Sequence, residues 1–320
     1  MNILITGGAG FIGSHLARHH IENHDHVWVV DNLSSGRKEN LSGLNPSLLR
    51  FDIDDLLTWK DLEKAINWAH RIYHMAAIVG QHQVILNPIK TLHCNIHGCE
   101  RLLEMISHLS KKPATLIAST SALYRKPTVD AYNEKDNLQV LSGEYIQQSY
   151  SLSKLINESM ALAYHKKNQI PCVIARLFNV VGTHQISQYG MVIPTLIKQA
   201  LKNTPMTIFG NGHQTRSFCN ILDVVKACDL LLSNPKSYGE IVNIGSDSEI
   251  SIYELALLIK RKTKSKSNIT FIPYKEAYGI DYQEIYKQRP SVEKLYALTG
   301  VRCQIPLEDT IDSLIANLPT

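Results

Sequence analysis

NILITGGAGFIGSHLA, residues 2–17, is the stretch from which the rest of the chain is read. Asn2 to Thr6 is a short apolar run closed by glycines, the pattern of a strand buried in a parallel sheet. Gly7-Gly8-Ala9-Gly10-Phe11-Ile12-Gly13 follows, and Ser14-His15-Leu16-Ala17 continues as a helix. Gly8, Gly10 and Gly13 fit GxGxxG, while Gly7, Gly10 and Gly13 fit the wider GxxGxxG. In either spacing glycine lets the backbone turn sharply and come close to a pyrophosphate, which then rests on free amides at a helix N-terminus. A glycine turn alone is weak, since many α/β proteins have one. Here a strand precedes it, a helix follows, and Asp31 closes a second apolar run, His26–Val30. Asp31 lies 18 residues past Gly13, near the spacing expected of a carboxylate that grips a ribose diol.

The chain has 320 residues, enough for one large domain or two unequal ones. Its 44% hydrophobic and 19% charged residues are ordinary for a globular protein. A formal charge of +4 is mild and spread out; the densest basic run, Lys260–Lys266, ends a helical pattern and reads as a solvated face rather than a nucleic-acid tract. No apolar run approaches the ~20 residues that cross a bilayer, and Met1 leads directly into a core strand, so neither a signal peptide nor a membrane anchor is expected. Six cysteines show no CxxC and no framework spacing, which suits reduced thiols in a cytoplasmic protein. Fourteen histidines include no HExxH and no Cys/His cluster, so no metal site is expected.

Strand-like and helix-like segments alternate from the start to about residue 180. Strands are expected at Leu48–Phe51, Arg71–His74, Ala114–Ala118 and Pro171–Phe178, and helices at 88–109 and 150–166. Such alternation calls for a doubly wound parallel sheet with helices on both faces, an α/β Rossmann-type fold. Polar clusters sit at the C-terminal end of each expected strand, where such sheets bind ligands. Beyond 180 the pattern loosens into turn-rich segments, yet Ile241–Gly245 looks like one more strand of the first sheet. We therefore expect a nucleotide-binding domain over 1–180, with about 220–246 returning to it. A smaller, interleaved α/β domain should occupy most of 181–320.

Tyr150 and Lys154 in YSLSK are one helical turn apart and share a face. A lysine ammonium beside a tyrosine favours its phenolate, which makes a general acid/base. Ser121, at the end of the fifth expected strand, offers a second hydrogen bond to a substrate hydroxyl. The spacing YxxxK is common by chance, and it gains meaning here from lying downstream of a glycine fingerprint.

Ten segments then line up in order: TGGAGFIGSHL (6–16), DNLSSGRKENL (31–41), FDIDD (51–55), YHMAA (73–77), NIHG (95–98), STSALY (119–124), YSLSK (150–154), ARLFNVVG (175–182), GNGHQTRSF (210–218) and NIGS (243–246). With these the chain resembles the extended short-chain dehydrogenase/reductase family, specifically its nucleotide-sugar epimerases and dehydratases. The resemblance covers nearly the whole length. It implies a Rossmann domain holding NAD and a smaller domain holding a nucleoside-diphosphate sugar, a UDP-sugar foremost.

It also implies residue roles. Gly7, Gly10 and Gly13, with Phe11 and Ile12 between them, line the pyrophosphate. Asp31 and Asn32 meet the adenosine ribose, Asp52 and Ile53 the adenine, and Ala76 the cofactor side of the cleft. Tyr150 is the base, Lys154 orients it and holds the nicotinamide ribose, and Ser121 or Thr120 touches the sugar. Asn179, Arg216 and Arg289 contact the substrate's nucleotide and diphosphate, with local turn bonding the alternative for Asn179 and Asn95. Arg125, Thr183 and Ser291 depart from the family pattern and bear on sugar specificity. The resemblance further implies a homodimer, formed when the helices at 88–109 and 150–166 pair with their symmetry mates.

In this family Tyr150 would take the 4-hydroxyl proton while the C4 hydride passes to NAD, giving a 4-keto sugar. Elimination across C5–C6 in the 4,6-dehydratases uses Asp-Glu after the threonine of STSALY, and the UDP-glucuronate decarboxylases carry Glu at the position of Ala122. Ser121 and Ala122 supply neither. The expectation is therefore 4-epimerisation of a UDP-hexose or UDP-hexuronate. Dehydration or decarboxylation of the sugar, or binding without turnover as a regulator, are the alternatives.

Overall fold

Six apolar runs form parallel strands: β1 (Asn2–Thr6), β2 (His26–Val30), β3 (Leu49–Asp52), β4 (Arg71–His74), β5 (Ala114–Thr120) and β6 (Cys172–Leu177). In the computed structural model, which describes residues 1–124, 130–140, 146–185, 191–278 and 284–317, these join a seventh strand, Ile241–Ile244, in one sheet. From that seventh strand the order runs β6, β5, β4, β1, β2, β3, and every pairing is parallel. The strand order reverses between β1 and β4. Sheets of this kind open a crevice at that point, past the carboxyl ends of the strands.

Period-two alternation sends successive residues of β1 to opposite faces. Ile3 and Ile5 pack with Leu16, Ala17 and Ile21 of α1 (Phe11–Glu22) and with the helix Ile221–Ser233. Leu4 faces the other way. It joins Leu62 and Ile66 of α2 (Leu62–Trp68) in a second core; past the short α3 (Gln81–Leu86), α4 (Pro88–Ser107) adds Leu102 and Ile106, and α5 (Ser149–Asn168) adds Ala161. Helices thus cover both faces, the doubly wound arrangement expected from the alternation. Strand β5 runs two residues beyond the apolar stretch that marks it, because Ser119 and Thr120 still pair with Arg176 and Leu177.

A third apolar cluster lies apart from the sheet. Helices Val192–Leu201, Ile252–Lys262 and Leu307–Asn317 enclose it with the parallel pair Met206–Phe209 and Ile269–Ile272. Ser251 starts the middle helix with a reciprocal capping box to Glu254. The basic run at 260–266 begins in that helix's last turn, where positive charge suits the helix dipole. Lys262 there donates to Asp312 at 2.7 Å. The strand Thr215–Ser217, paired antiparallel with Glu249–Ser251, also belongs to this C-terminal part of the chain. Among the described residues no helix is long and apolar enough to cross a membrane, and none forms a three-residue His/Cys/Asp/Glu cluster suited to a metal.

Candidate active site

Gly7, at the end of β1, has φ +72° and lies against the end of β4. A Cβ there would stand 2.7 Å from the Ala76 backbone nitrogen. Only glycine allows this approach, and it forms the floor of a long cleft. Gly7, Gly10, Phe11, Ile12 and Gly13 line the middle of that cleft, and Asp31 and Asn32 line one end. Ala76 stands on its wall, and Tyr150 and Lys154 lie at the other end with Ala118 and Ser119. The structure therefore brings the glycine turn, the acid after β2 and the Tyr/Lys pair onto one surface.

Asp31 is 8% exposed. Its carboxylate accepts from the backbone N–H groups of Ala9 at 3.1 Å and Leu33 at 2.8 Å. Burial raises its pKa above the usual carboxylate value, and these amides oppose that shift. Asn32 donates to Asp55 at 3.0 Å. Asp52 and Ile53, expected at the adenine, immediately precede the cleft-lining Asp54 and Asp55. The Asp52 carboxylate is held by Trp28 Nε1 at 3.1 Å and by Arg50 Nε at 3.2 Å, and Ile53 is 51% exposed. Strand β3 persists through Asp52, so the chain turns into the cleft only at Asp54, Asp55, Leu56 and Leu57.

At the other end, Tyr150 opens α5 and Lys154 follows one turn later. Lys154 is 2% exposed, and its Nζ donates to the Ala118 carbonyl at 2.8 Å. Burial lowers its pKa to about 8, while Cys99 and Glu158 pull upward. The Tyr150 pKa is not drawn down, as the Tyr/Lys spacing suggested. Burial pushes it up to about 12, with a hydrogen bond from Thr120 acting in the opposite direction. Desolvation of the phenolate outweighs its hydrogen bond, and the ammonium is engaged with Ala118.

Thr120 caps the turn Ser121–Leu123, its Oγ1 accepting from the Ala122 N–H at 3.1 Å. Ser121 is 4% exposed and accepts from Gln288 Nε2 at 2.9 Å. The three residues assigned to the nucleotide and diphosphate are not among those that line this cleft. Asn179 Nδ2 donates to the Ser217 carbonyl at 3.1 Å, a bond between distant segments rather than within a turn. Asn95 likewise ties Ile78 to Ser153. Arg216 pairs with Glu284 and donates to the Thr215 and Ile285 carbonyls, each at 2.7 Å. Arg289 has its Nε buried with no hydrogen-bond partner among the described residues.

Of the departures, Thr183 meets His15. His15 Nδ1 lies 2.9 Å from the Phe11 carbonyl, so that nitrogen carries the proton and Nε2 accepts from Thr183 Oγ1 at 3.0 Å. Burial lowers the His15 pKa, in keeping with this neutral form. Ser291 gives its backbone N–H to the Tyr132 carbonyl, and Arg125 lies outside the described residues.

Beneath the cleft the sequence reading missed a buried network. Ser119 Oγ donates to Glu158 at 2.5 Å, and Arg176 donates to both Glu158 oxygens. Arg176 also donates to Tyr124 Oη at 2.6 Å, which in turn donates to Asn243 at 2.9 Å. STSALY, ARLFNVVG and NIGS thus meet in one set of hydrogen bonds around a glutamate of α5.

Known proteins with this pattern can now be set beside it. Residues 3–245 match the model of the NAD dependent epimerase/dehydratase family. The chain belongs to that family. A UDP-N-acetyl-alpha-D-glucosaminuronate decarboxylase of Bacillus cytotoxicus is 33% identical over 91% of this chain and 89% of its own. A putative UDP-glucose 4-epimerase of Methanocaldococcus jannaschii is 32% identical over 98% and 97%. The crystal structure of UDP-glucuronic acid 4-epimerase from Bacillus cereus, in complex with UDP-glucuronic acid and NAD, superposes with a TM-score of 0.88. It shares 30% identity and covers 99% of this chain and 98% of that one.

The cofactor is NAD, and the residues present fit it. The close approach at Gly7 leaves room along the glycine turn, Asp31 lies at the ribose distance from it in sequence, and the cleft reaches the Tyr150 phenol. Gly7, Gly10 and Gly13 would hold the pyrophosphate, Asp31 the ribose, and Lys154 the nicotinamide end.

Proposed function

We propose that this enzyme interconverts the C4 epimers of a UDP-hexose or UDP-hexuronate. The observation that carries the reading is the end of β5. Thr120 is followed by Ser121 and Ala122, and the carboxylates lining the described cleft, Asp31, Asp54 and Asp55, are at its opposite end. Among the described residues beside Ala118 and Ser119, Tyr150 is the group we assign to move a proton at the sugar's O4. Bound NAD supplies a reversible hydride acceptor. Thr120 holds the phenol in place, Lys154 lies one turn beyond it, and Ser121 donates to the sugar. With no second acid/base beside it among the described cleft residues, a 4-keto sugar has one outlet, return of the hydride to its other face. Asn179, Arg216 and Arg289 serve the nucleotide and diphosphate in this reading, and Arg216 then exchanges Glu284 for phosphate.

Decarboxylation is the second reading, favoured by the Bacillus cytotoxicus relative. Oxidation of a hexuronate at C4 places a ketone β to its carboxylate, and loss of CO2 leaves a carbanion at C5 that needs a proton. Among the described residues that line the cleft, no carboxyl group stands beside Tyr150 to give it. The enzyme is therefore incubated with each of a panel of UDP-, dTDP- and GDP-sugars, without added reductant, and the anomeric and H4 signals are followed by NMR. A C4 epimer with C6 intact supports epimerisation, a pentose establishes decarboxylation, and a 4-keto-6-deoxy sugar overturns both. NAD and nucleotide sugar bound with no product at all would mark a binding protein.

We also infer a homodimer. On α4 and just before it, Ile89 and Leu86 are 81% and 70% exposed, and Ile156 of α5 is 41% exposed. A symmetric pairing of these helices would cover all three.

A further inference from the structure

Two hydroxyls at the end of β5 are built alike from different sources. A hydroxyl has one proton and two lone pairs, so a donor aimed at its oxygen leaves the proton free to be given elsewhere. At Thr120 the donor is the local Ala122 N–H, at 3.1 Å, and the hydroxyl serves the Tyr150 phenol. At Ser121 the donor comes from 167 residues along the chain: Gln288 Nε2, at 2.9 Å. Both partners are buried, Ser121 at 4% and Gln288 at 5% exposure.

The Gln288 main chain is fixed. Its carbonyl accepts from both the backbone N–H and the Oγ of Ser217, at 3.3 and 3.1 Å. The next carbonyl, of Arg289, accepts from the Tyr132 N–H at 2.8 Å. An amide held this way presents its N–H₂ to Ser121 in a set direction.

We propose that Gln288 is a positioning residue which makes Ser121 a hydrogen-bond donor toward the sugar's C4 oxygen. This rests on the reading above in which Ser121 touches the sugar. The requirement is chemical. When the C4 hydroxyl becomes a ketone, its oxygen can only accept, and it needs preorganised donors. Tyr150, having taken the proton, supplies one, and Ser121 supplies the second only while its own proton is free. An acceptor at position 288 would draw that proton away.

Gln288→Glu tests this directly, because it replaces a donor with a carboxylate of the same shape. Epimerisation is assayed with the NAD-bound enzyme and whichever UDP-sugar it turns over. At pH 8 kcat should fall about tenfold or more with KM within about twofold, the signature of an interaction made in the transition state. As pH falls toward 5 the ratio of variant to wild-type kcat should recover, since a protonated carboxyl donates again. Gln288→Met, which neither aims a donor at Ser121 nor draws its proton away, should lose a smaller factor than Gln288→Glu does at pH 8, and the same factor at every pH.

In a Ser121→Ala background both Gln288 substitutions should change kcat by less than about twofold. A Gln288→Glu loss that does not vary with pH, or one equally large without Ser121, would overturn the proposal. Should Gln288→Glu fail to fold by circular dichroism, the cycle of Gln288→Met with Ser121→Ala decides. Wild-type kcat in Ser121→Ala alone would remove the sugar contact and this inference with it. A slow Ser121→Ala beside a fully active Gln288→Met would remove Gln288 only.

Discussion

Glu158 accepts from Arg176 Nε at 2.8 Å and from Nη2 at 2.7 Å, and neither side chain is more than 3% exposed. The pair stands one turn past Lys154 on α5 and binds Ser119 as well, so it clips the Tyr/Lys helix to β5 and β6. Arg176→Met would leave that carboxylate buried with its cation removed, a change that destabilises by roughly 3–5 kcal/mol. Urea unfolding should show it, and a second change, Glu158→Leu, should restore much of the loss. A single variant within about 1 kcal/mol of wild type would mean that water reaches the pair.

The cofactor half of the cleft was legible because its signals are local. A strand, a glycine turn, a helix and an acid follow within 31 residues, and each is dictated by backbone geometry. Where the chain turns into the cleft after β3 was not legible in the same way, because it depends on how far β3 stays paired with β2, which ends at the Val30–Asp52 pair. Glu158, Arg176 and Gln288 were missed for another reason. Their partners are distant in sequence, and no periodicity marks a side chain that crosses between elements. The direction of the Tyr150 pKa could not be read either, since spacing shows a neighbouring charge but not burial.

Gly36 guards the ribose end. A Cβ on it would stand 2.8 Å from both Asp31 carboxylate oxygens. Gly36→Ala should displace that carboxylate and weaken NAD by about tenfold or more, about 1.4 kcal/mol, with the fold intact. The same carboxylate should repel a 2′-phosphate, so calorimetry on the wild type should give tighter binding of NAD than of NADP. Tighter NADP binding would point to Arg37 and Lys38 and against Asp31.

The proposed dimer depends on the apolar residues on α4 and α5. Ile89, 81% exposed, is the most open of them. Ile89→Glu would place a charge within such a symmetric contact. Light scattering at micromolar concentration should give a dimeric mass for the wild type and a monomeric one for the variant. A monomeric wild type would dismiss the pairing.

Tyr150→Phe keeps the ring and removes the acid/base. Thermal unfolding and NAD affinity should change little, while turnover should fall ~10²-fold or more. A near-normal rate would rule out proton transfer through this residue.

Lys154 should lower the stability of the fold that contains it. Its pKa is about 8 in the folded protein against 10.5 when exposed, because the ammonium is buried beneath the cleft. Below pH 8 both states are protonated and the full penalty applies, roughly 3 kcal/mol at 1.36 kcal/mol per unit. Between pH 8 and 10.5 the unfolded chain binds the proton more tightly than the folded one, so rising pH stabilises the fold and the penalty fades. Lys154→Met has no charge to bury and gives up only the bond to the Ala118 carbonyl, worth about 1 kcal/mol. At pH 7 the variant should therefore be the more stable protein by urea unfolding, while its turnover collapses. At pH 10 that advantage should have largely gone. A stability difference that stays constant from pH 7 to 10 would show that the folded and unfolded chains hold this proton equally tightly, so that burial does not lower the Lys154 pKa and costs the fold no such penalty.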